Sequence, residues 1–325
     1  MLEIGIIGGA GYTAGELIRL LLNHPEANIN FVYSTSNAGN KLHKVHKDLI
    51  GSTEISFTSH INTEVDTLFL CLGHGNSTTF LEKNNFSENT KIIDLSNDFR
   101  LFTDKNFKGK DFVYGLPELD KTVIKTAKYI ANPGCFATAL QLAILPLAAN
   151  GLLRNDIHIN AVTGATGAGN SLSATTHFAY RDNNFSHYKA FNHQHLGEIN
   201  QTVNQLQTNF NAEINFVPNR GNFSRGIFAT TYTKYNGSLE DALKIYKEYY
   251  KDAAFTFVSD EEIHLKQVVN TNKCLIHLAK HGTKLLITST LDNLLKGASG
   301  QAVQNLNLMY DFEETLGLNL KASWF

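Results

Sequence analysis

The chain has 325 residues, of which 42% are hydrophobic and 18% charged, and its formal net charge is -2. That length exceeds what a single core usually organises and predicts two domains. The near-neutral balance argues against a nucleic-acid or anionic-membrane binder, since either usually carries a basic surplus. No targeting segment is read: the opening MLEIGIIGG carries Glu3 and runs straight into a glycine turn, unlike a signal peptide. The longest apolar stretch, residues 139–149, is broken by Gln141 and Pro146 and is too short to span a bilayer. The cytoplasm is the expected compartment.

Residues 2–7 predict a strand. Residues 15–22 (GELIRLLL) have helical spacing, and Asn23-His24-Pro25 ends it. Further strands are expected at 30–34, 67–72 (TLFLCL) and 91–95 (KIIDL). Continuous apolar strands between helices indicate a parallel sheet covered on both faces. The character changes after about Gly151. Residues 156–163, 212–217, 226–235, 268–279 and 284–290 alternate more and are rich in β-branched and aromatic side chains, which predicts an antiparallel or mixed sheet. Residues 240–251 predict an amphipathic helix, and 297–309 a helix that packs back on the first domain. The fold class is α/β.

Gly9-Ala10-Gly11-Tyr12-Thr13-Ala14 fits G-x-G-x-x-G/A after a strand and before a helix. In that setting the backbone turns tightly and free helix N–H groups face a pyrophosphate. NAD-specific sites usually carry an acid after the second strand. Residues 27–47 hold none and offer Ser34, Thr35, Ser36 and Lys41. Hydroxyls and an ammonium suit a 2′-phosphate, so NADP is the expected cofactor.

The cysteines are Cys71, Cys135 and Cys274, too few and wrongly spaced for a disulfide framework or a zinc site. Cys71 and Cys274 lie inside apolar runs and read as core residues. Cys135 follows Asn132-Pro133-Gly134 and opens the apolar helical run 136–145. A helix start favours thiolate, so Cys135 is a candidate nucleophile, with a small buried filler as the other reading. His193-Gln194-His195-Leu196-Gly197-Glu198 supplies two histidines and an acid. If a helix begins near Leu196, Glu198 turns back to orient the His195 ring, which makes His195 a candidate acid–base group. No metal is expected.

At these residues the sequence resembles the N-acetyl-gamma-glutamyl-phosphate reductase family nearly end to end. The resemblance rests on GGAGYTAGEL (8–17), DLSNDFRL (94–101), YGLPEL (114–119), NPGCFATA (132–139), HQHLGEI (193–199), RGIFATTY (225–232) and DNLLKGASGQAVQNLNLM (292–309). It implies an architecture like that of glyceraldehyde-phosphate and aspartate-semialdehyde dehydrogenases. A Rossmann NADP-binding domain (1–134 plus 297–325) would be joined to an α+β mixed-sheet domain for catalysis and oligomerisation (135–296). It further implies NADPH-dependent reduction of an acyl phosphate through a thioester on Cys135, the third step of arginine biosynthesis. His195 and His193 would be the histidine pair, in a homo-oligomer, dimer or tetramer.

The cofactor residues would be Gly9, Gly11, Tyr12, Thr13, Ala14, Ser34 and Ser36. Arg100 and Arg225 are candidates for holding the substrate's carboxylate or phosphate, because a guanidinium offers a planar fork; Asn132 and Glu198 are placed with them. The chain departs from the family's usual pattern at Gln194, Leu196-Gly197, Thr166 and Thr35. Related acyl-phosphate reductases, acting on an N-succinyl, aspartyl or carrier-bound amino-adipyl group, and a non-catalytic NADP-binding sensor are the alternatives.

Overall fold

The computed structural model describes residues 1–324 and divides the chain into two compact units, Met1–Pro133 with Ala298–Asn319, and Gly134–Gly297 with the residues from Leu320 onward. The tail from Leu320 groups with the second unit, rather than with the helix before it. There Ser323 N–H donates to Val269 O at 3.0 Å and Asn270 Nδ2 to Lys321 O at 3.2 Å.

The first unit is built on a seven-stranded sheet in the order Phe57–Thr58, Ala27–Tyr33, Leu2–Ile7, Thr67–Leu70, Lys91–Asp94, Tyr129–Ala131, Val113–Tyr114. Every adjacent pair runs parallel. Ile4, Ile6, Ile7, Leu68, Phe69 and Leu70 have no exposed surface, the consequence of apolar runs covered on both faces. The chain builds outward from Leu2–Ile7 in one direction and then, from Thr67–Leu70, in the other. Ligands of such sheets lie at the carboxyl ends of the strands where the order reverses. The glycine loop leaves Leu2–Ile7 at that end.

Its helix spans Tyr12–Leu21, three residues earlier than the apolar spacing indicates, because Tyr12, Thr13 and Ala14 already belong to its first turn and Gly11 is the N-cap. The short strands Phe57–Thr58 and Val113–Tyr114 carry too few residues for a period to show.

The helix Gly300–Met309 belongs to the first unit, as expected, but it is more polar than a core helix usually is. Gln301, Gln304, Asn305 and Asn307 are fully buried. Its asparagines anchor loops: Asn305 Nδ2 donates to Gly115 O at 2.9 Å, and Asn307 Oδ1 pairs with His24 Nε2 at 2.9 Å.

The second unit carries a mixed sheet in the order Ser186–His187, Ile214–Arg220, Ile157–Thr163, Ile227–Lys234, Lys284–Leu291, Cys274–His281, Thr256–Ser259. In Ile157–Thr163 burial alternates residue by residue, as a sheet covered on one side requires. The covering helix is Cys135–Ala149, buried throughout from Phe136 to Ala148. It runs through Pro146, which has no N–H for the carbonyl of Leu142. The hydroxyl of Tyr250 replaces that donor at 2.5 Å, and Tyr246 bonds the next carbonyl, Ala143, at 2.6 Å.

Candidate active site

Cys135 is the first residue of its helix, and Gly134, in extended conformation, is the N-cap. Glycine has no side chain to cap with, so the first-turn N–H groups and the positive end of the dipole face the sulfur's surroundings. Cys135 is partly exposed, whereas every position from Phe136 to Ala148 is buried. The turn Leu295–Ser299 has π-helical geometry, and Gly297 N–H bonds Asp292 O at 2.9 Å. A β-carbon at Gly297 would lie 2.8 Å from the Cys135 β-carbon. Only glycine lets this turn close on the cysteine.

Cys274 is buried, as a core residue should be. Burial, and then the nearby Asp94, push the Cys71 thiol well above its ordinary range.

His195 opens the helix His195–Leu206, one residue before the expected start. A β-carbon on Gly134 would come within 2.3 Å of His195 Nε2, so the imidazole packs directly on the glycine that precedes the cysteine. Glu198, one turn on, accepts a hydrogen bond from Gly134 N–H at 3.0 Å through Oε2, and its Oε1 lies 4.0 Å from His195 Nε2. One buried carboxylate thus anchors the cysteine's N-cap and faces the imidazole.

His193 is also buried, and its Nδ1 accepts from His195 N–H at 3.3 Å. It packs edge-on against Phe136 and Phe216, each at 5.5 Å, and Tyr188 at 5.8 Å. Burial, then the charge of Lys189, lower its pKa to about 4. His193 is therefore neutral near pH 7, with Nδ1 free to accept from the main chain where the helix begins.

Burial, and after it the charge on Cys135, raise the Tyr188 phenol to about 12, while Arg220 opposes that rise. Arg220 lies with its Cζ 4.7 Å over the Tyr188 ring. Neither residue carries a motif signal in the sequence.

The arginines selected from sequence have partners within the fold. Arg100 is buried and donates to backbone, Nε to Asn132 O at 2.8 Å and Nη2 to Leu95 O at 2.9 Å; its fork braces a loop. Arg225 grips the fully buried Asp292 with Nε at 3.0 Å and Nη2 at 3.1 Å. Asp292 also accepts from Asn270 N–H at 2.7 Å and Leu294 N–H at 2.8 Å. Asn132 is buried, donating to Ala298 O and accepting from Asn305 Nδ2, each at 3.1 Å.

In the first unit the glycine loop has the room a dinucleotide phosphate needs. A β-carbon on Gly11 would meet nothing within 4 Å, whereas one on Gly9 would strike Val32 Cγ1 at 2.2 Å. The first glycine serves close packing, and the second keeps the helix start open. Tyr12 is exposed, Ala14 is buried, and Thr13 O is held by Ser299 Oγ at 2.7 Å.

His46, which sequence reasoning passed over, shapes the loop. Its Nε2 bonds Gly9 O at 2.7 Å, and its ring occupies the space a side chain at Gly15 would need. After the second strand, Asn37 Nδ2 reaches Ser34 Oγ at 3.2 Å and Ser36 Oγ at 3.1 Å, a compact neutral group. Lys41 is drawn away to Glu54, 3.3 Å from its carboxylate.

Two family models match the chain: "Semialdehyde dehydrogenase, NAD binding domain" over residues 3–127, and "Semialdehyde dehydrogenase, dimerisation domain" over 135–293. Relatives named N-acetyl-gamma-glutamyl-phosphate reductase match along the whole of both chains. The protein of Christiangramia forsetii is 69% identical, that of Flavobacterium johnsoniae 62% and that of Bacteroides thetaiotaomicron 57%, each covering 100% of the chain and of the relative. Among solved structures, aspartate semialdehyde dehydrogenase II of Vibrio cholerae in complex with ASA superimposes with a TM-score of 0.71 at 13% identity, over 96% of this chain and 98% of that one. The Candida albicans enzyme with NADP gives 0.68, also at 13% identity, over 95% and 98%. These two establish the shared fold.

Proposed function

The chain belongs to the N-acetyl-gamma-glutamyl-phosphate reductase family, within the semialdehyde dehydrogenases, and on that premise we propose that it reduces N-acetyl-gamma-glutamyl phosphate to N-acetyl-glutamate 5-semialdehyde and phosphate, using NADPH. One arrangement carries the reading: a partly exposed cysteine on an uncapped helix start, with the His195 ring packed on its N-cap and Glu198 tying the two together.

The Cys135 thiolate attacks the acyl carbon. A C–S bond forms, the C–O bond to phosphorus breaks, and phosphate leaves with the electron pair. First-turn N–H groups of the same helix are placed to stabilise the carbonyl oxygen as it becomes negative. When bound at the glycine loop, NADPH supplies the hydride that the reduction consumes. His195 holds the proton needed at that oxygen and recovers it as the C–S bond breaks and the thiolate returns. Glu198 keeps the ring in place and fixes the Gly134 amide.

A nicotinamide cofactor is the family's. NADPH over NADH is supported by the acid-free segment 27–47 and by the Ser34–Ser36–Asn37 group. We assign cofactor binding to the first unit and thioester chemistry to the second. With NADPH and a small phosphorylated substrate, the reading places the reaction in the cytoplasm.

A homo-oligomer, dimer or tetramer, is supported by the dimerisation-domain match and by exposed Leu172, Phe178, Phe185 and Phe191 on the same unit. Light scattering measures its size.

The reading is tested by phosphate-dependent reduction of NADP with the semialdehyde. A second test uses acyl phosphate without NADPH, which should leave an acyl mass increment on the peptide holding Cys135. A folded Cys135→Ser protein with near-normal turnover would rule the covalent route out.

A further inference from the structure

Asn270 has an uncommon backbone. Its φ is 69°, in the left-handed region that residues other than glycine rarely enter and that asparagine tolerates better than most. Such a conformation is unfavourable by itself and persists only where the surrounding structure holds it. Here it is held from two sides. Asn270 N–H donates to Oδ2 of the fully buried Asp292 at 2.7 Å. Its side chain donates to Lys321 O at 3.2 Å, and Ser323 N–H donates to Val269 O at 3.0 Å, so residues 321–323 clasp the same segment.

Asp292 joins that segment to the cysteine. Leu291, just before it, ends its strand, pairing with Ile227 on one side and Cys274 on the other. Both ladders stop there, so the turn that follows takes its orientation from Asp292. The carboxylate accepts from Leu294 N–H at 2.8 Å and from Arg225, and the carbonyl accepts from Gly297 N–H at 2.9 Å. Gly297 is the residue whose β-carbon would stand 2.8 Å from that of Cys135. A rotation of Asp292 therefore moves the turn that bears on the sulfur's own residue.

On the reading of Cys135 as the nucleophile, we propose that Asn270 is a positioning residue for the thioester chemistry. Its left-handed backbone aims an N–H at Asp292, and Asp292 sets the 292–297 turn against Cys135. The sulfur depends on that placement, because the N–H groups and dipole of a helix start act only within about one turn. An uncommon backbone conformation beside a reacting group is kept where the geometry it enforces is used.

Asn270→Ala and Asn270→Gly separate the backbone from the side chain. Both lose the bond to Lys321 O. Alanine disfavours a φ of 69°, whereas glycine adopts it without steric cost. Each full-length variant is alkylated with iodoacetamide across a range of pH, and modification of the Cys135 peptide is followed by mass. In Asn270→Ala the rate near neutral pH should fall by a factor of a few to about ten, the reach of a helix-end effect, with the rate at high pH little changed. In phosphate-dependent reduction of NADP, kcat should fall by about ten- to a hundredfold, while KM for NADP holds. Asn270→Gly should recover most of both losses. Thermal unfolding checks that the variants are folded at the assay temperature, and Asn270→Ser takes the place of the alanine variant should that one not fold.

A merely structural residue would lower the unfolding midpoint of Asn270→Ala and leave the alkylation profile and kcat at wild-type values; that result overturns the proposal. An Asn270→Gly protein as impaired as Asn270→Ala also overturns it, since the effect would then belong to the side chain's bond with Lys321. A wild type that does not turn over the semialdehyde, but whose Cys135 is alkylated more slowly in Asn270→Ala, would overturn the assigned reaction and leave the positioning role standing.

Discussion

Gly134→Ala tests how closely the imidazole and the cysteine helix are fitted. At Gly134 φ is -71° and ψ 153°, which any residue adopts, so the backbone resists nothing and the effect is steric. The new β-carbon would stand 2.3 Å from His195 Nε2 and 2.7 Å from the two adjacent ring carbons, where ordinary contact begins near 3.4 Å. The ring must retreat by about 1 Å. It cannot do so freely, because His195 opens a helix and is buried against Phe136, and its neighbour His193 is packed on three aromatic rings.

Forcing a methyl into such packing typically costs about 1–3 kcal/mol of stability. A displacement of that size at a reacting group is worth on the order of a hundredfold in rate. The expected result is kcat lower by about 10² with KM little changed, and a modest fall in unfolding midpoint. Steady-state kinetics and thermal unfolding measure the two. A Gly134→Ala enzyme with wild-type kcat and wild-type stability would refute the placement of the ring.

Gly11→Ala gives the contrast: its β-carbon enters open space, so stability should hold while KM for the cofactor rises, and unchanged cofactor kinetics would show that no ligand comes close there. Asp292→Ala removes the partner of Arg225 and two backbone N–H groups. The loss expected for breaking a buried pair is about 3–5 kcal/mol, and denaturant titration should find less damage in the double variant with Arg225→Met.

His193 has its pKa lowered from 6.5 to about 4, so the unfolded chain takes up a proton first as pH falls. Its stabilising effect is complete above pH 6.5 and is lost between there and about 4, at no more than about 1.4 kcal/mol per pH unit. The difference in unfolding free energy between wild type and His193→Gln should change across that window, and a difference constant with pH would contradict the neutral, buried ring.

Local chemistry made much of this protein legible in its sequence. Runs such as residues 2–7 and 67–70 carry one polar residue each, Glu3 and Thr67, and no regular alternation, as a doubly covered parallel strand requires, and both are parallel strands. Pro133-Gly134 stops one element and starts another, so Cys135 at a helix N-terminus could be read directly, as could Glu198 one turn beyond His195. A glycine loop between strand and helix is likewise a local pattern.

Tertiary structure alone decided which long side chains meet which partners. Arg100, Arg220 and Arg225 are chemically equal in the sequence, yet one braces carbonyls, one holds a buried aspartate 67 residues away and one lies over a tyrosine with a donor unfilled. His46 and Gly297 gain their roles only because segments distant in the chain close on Gly9 and Cys135. A residue's spacing fixes its own φ, ψ and helix position. Its partner across the fold is fixed by how whole elements pack, which no short window of sequence contains.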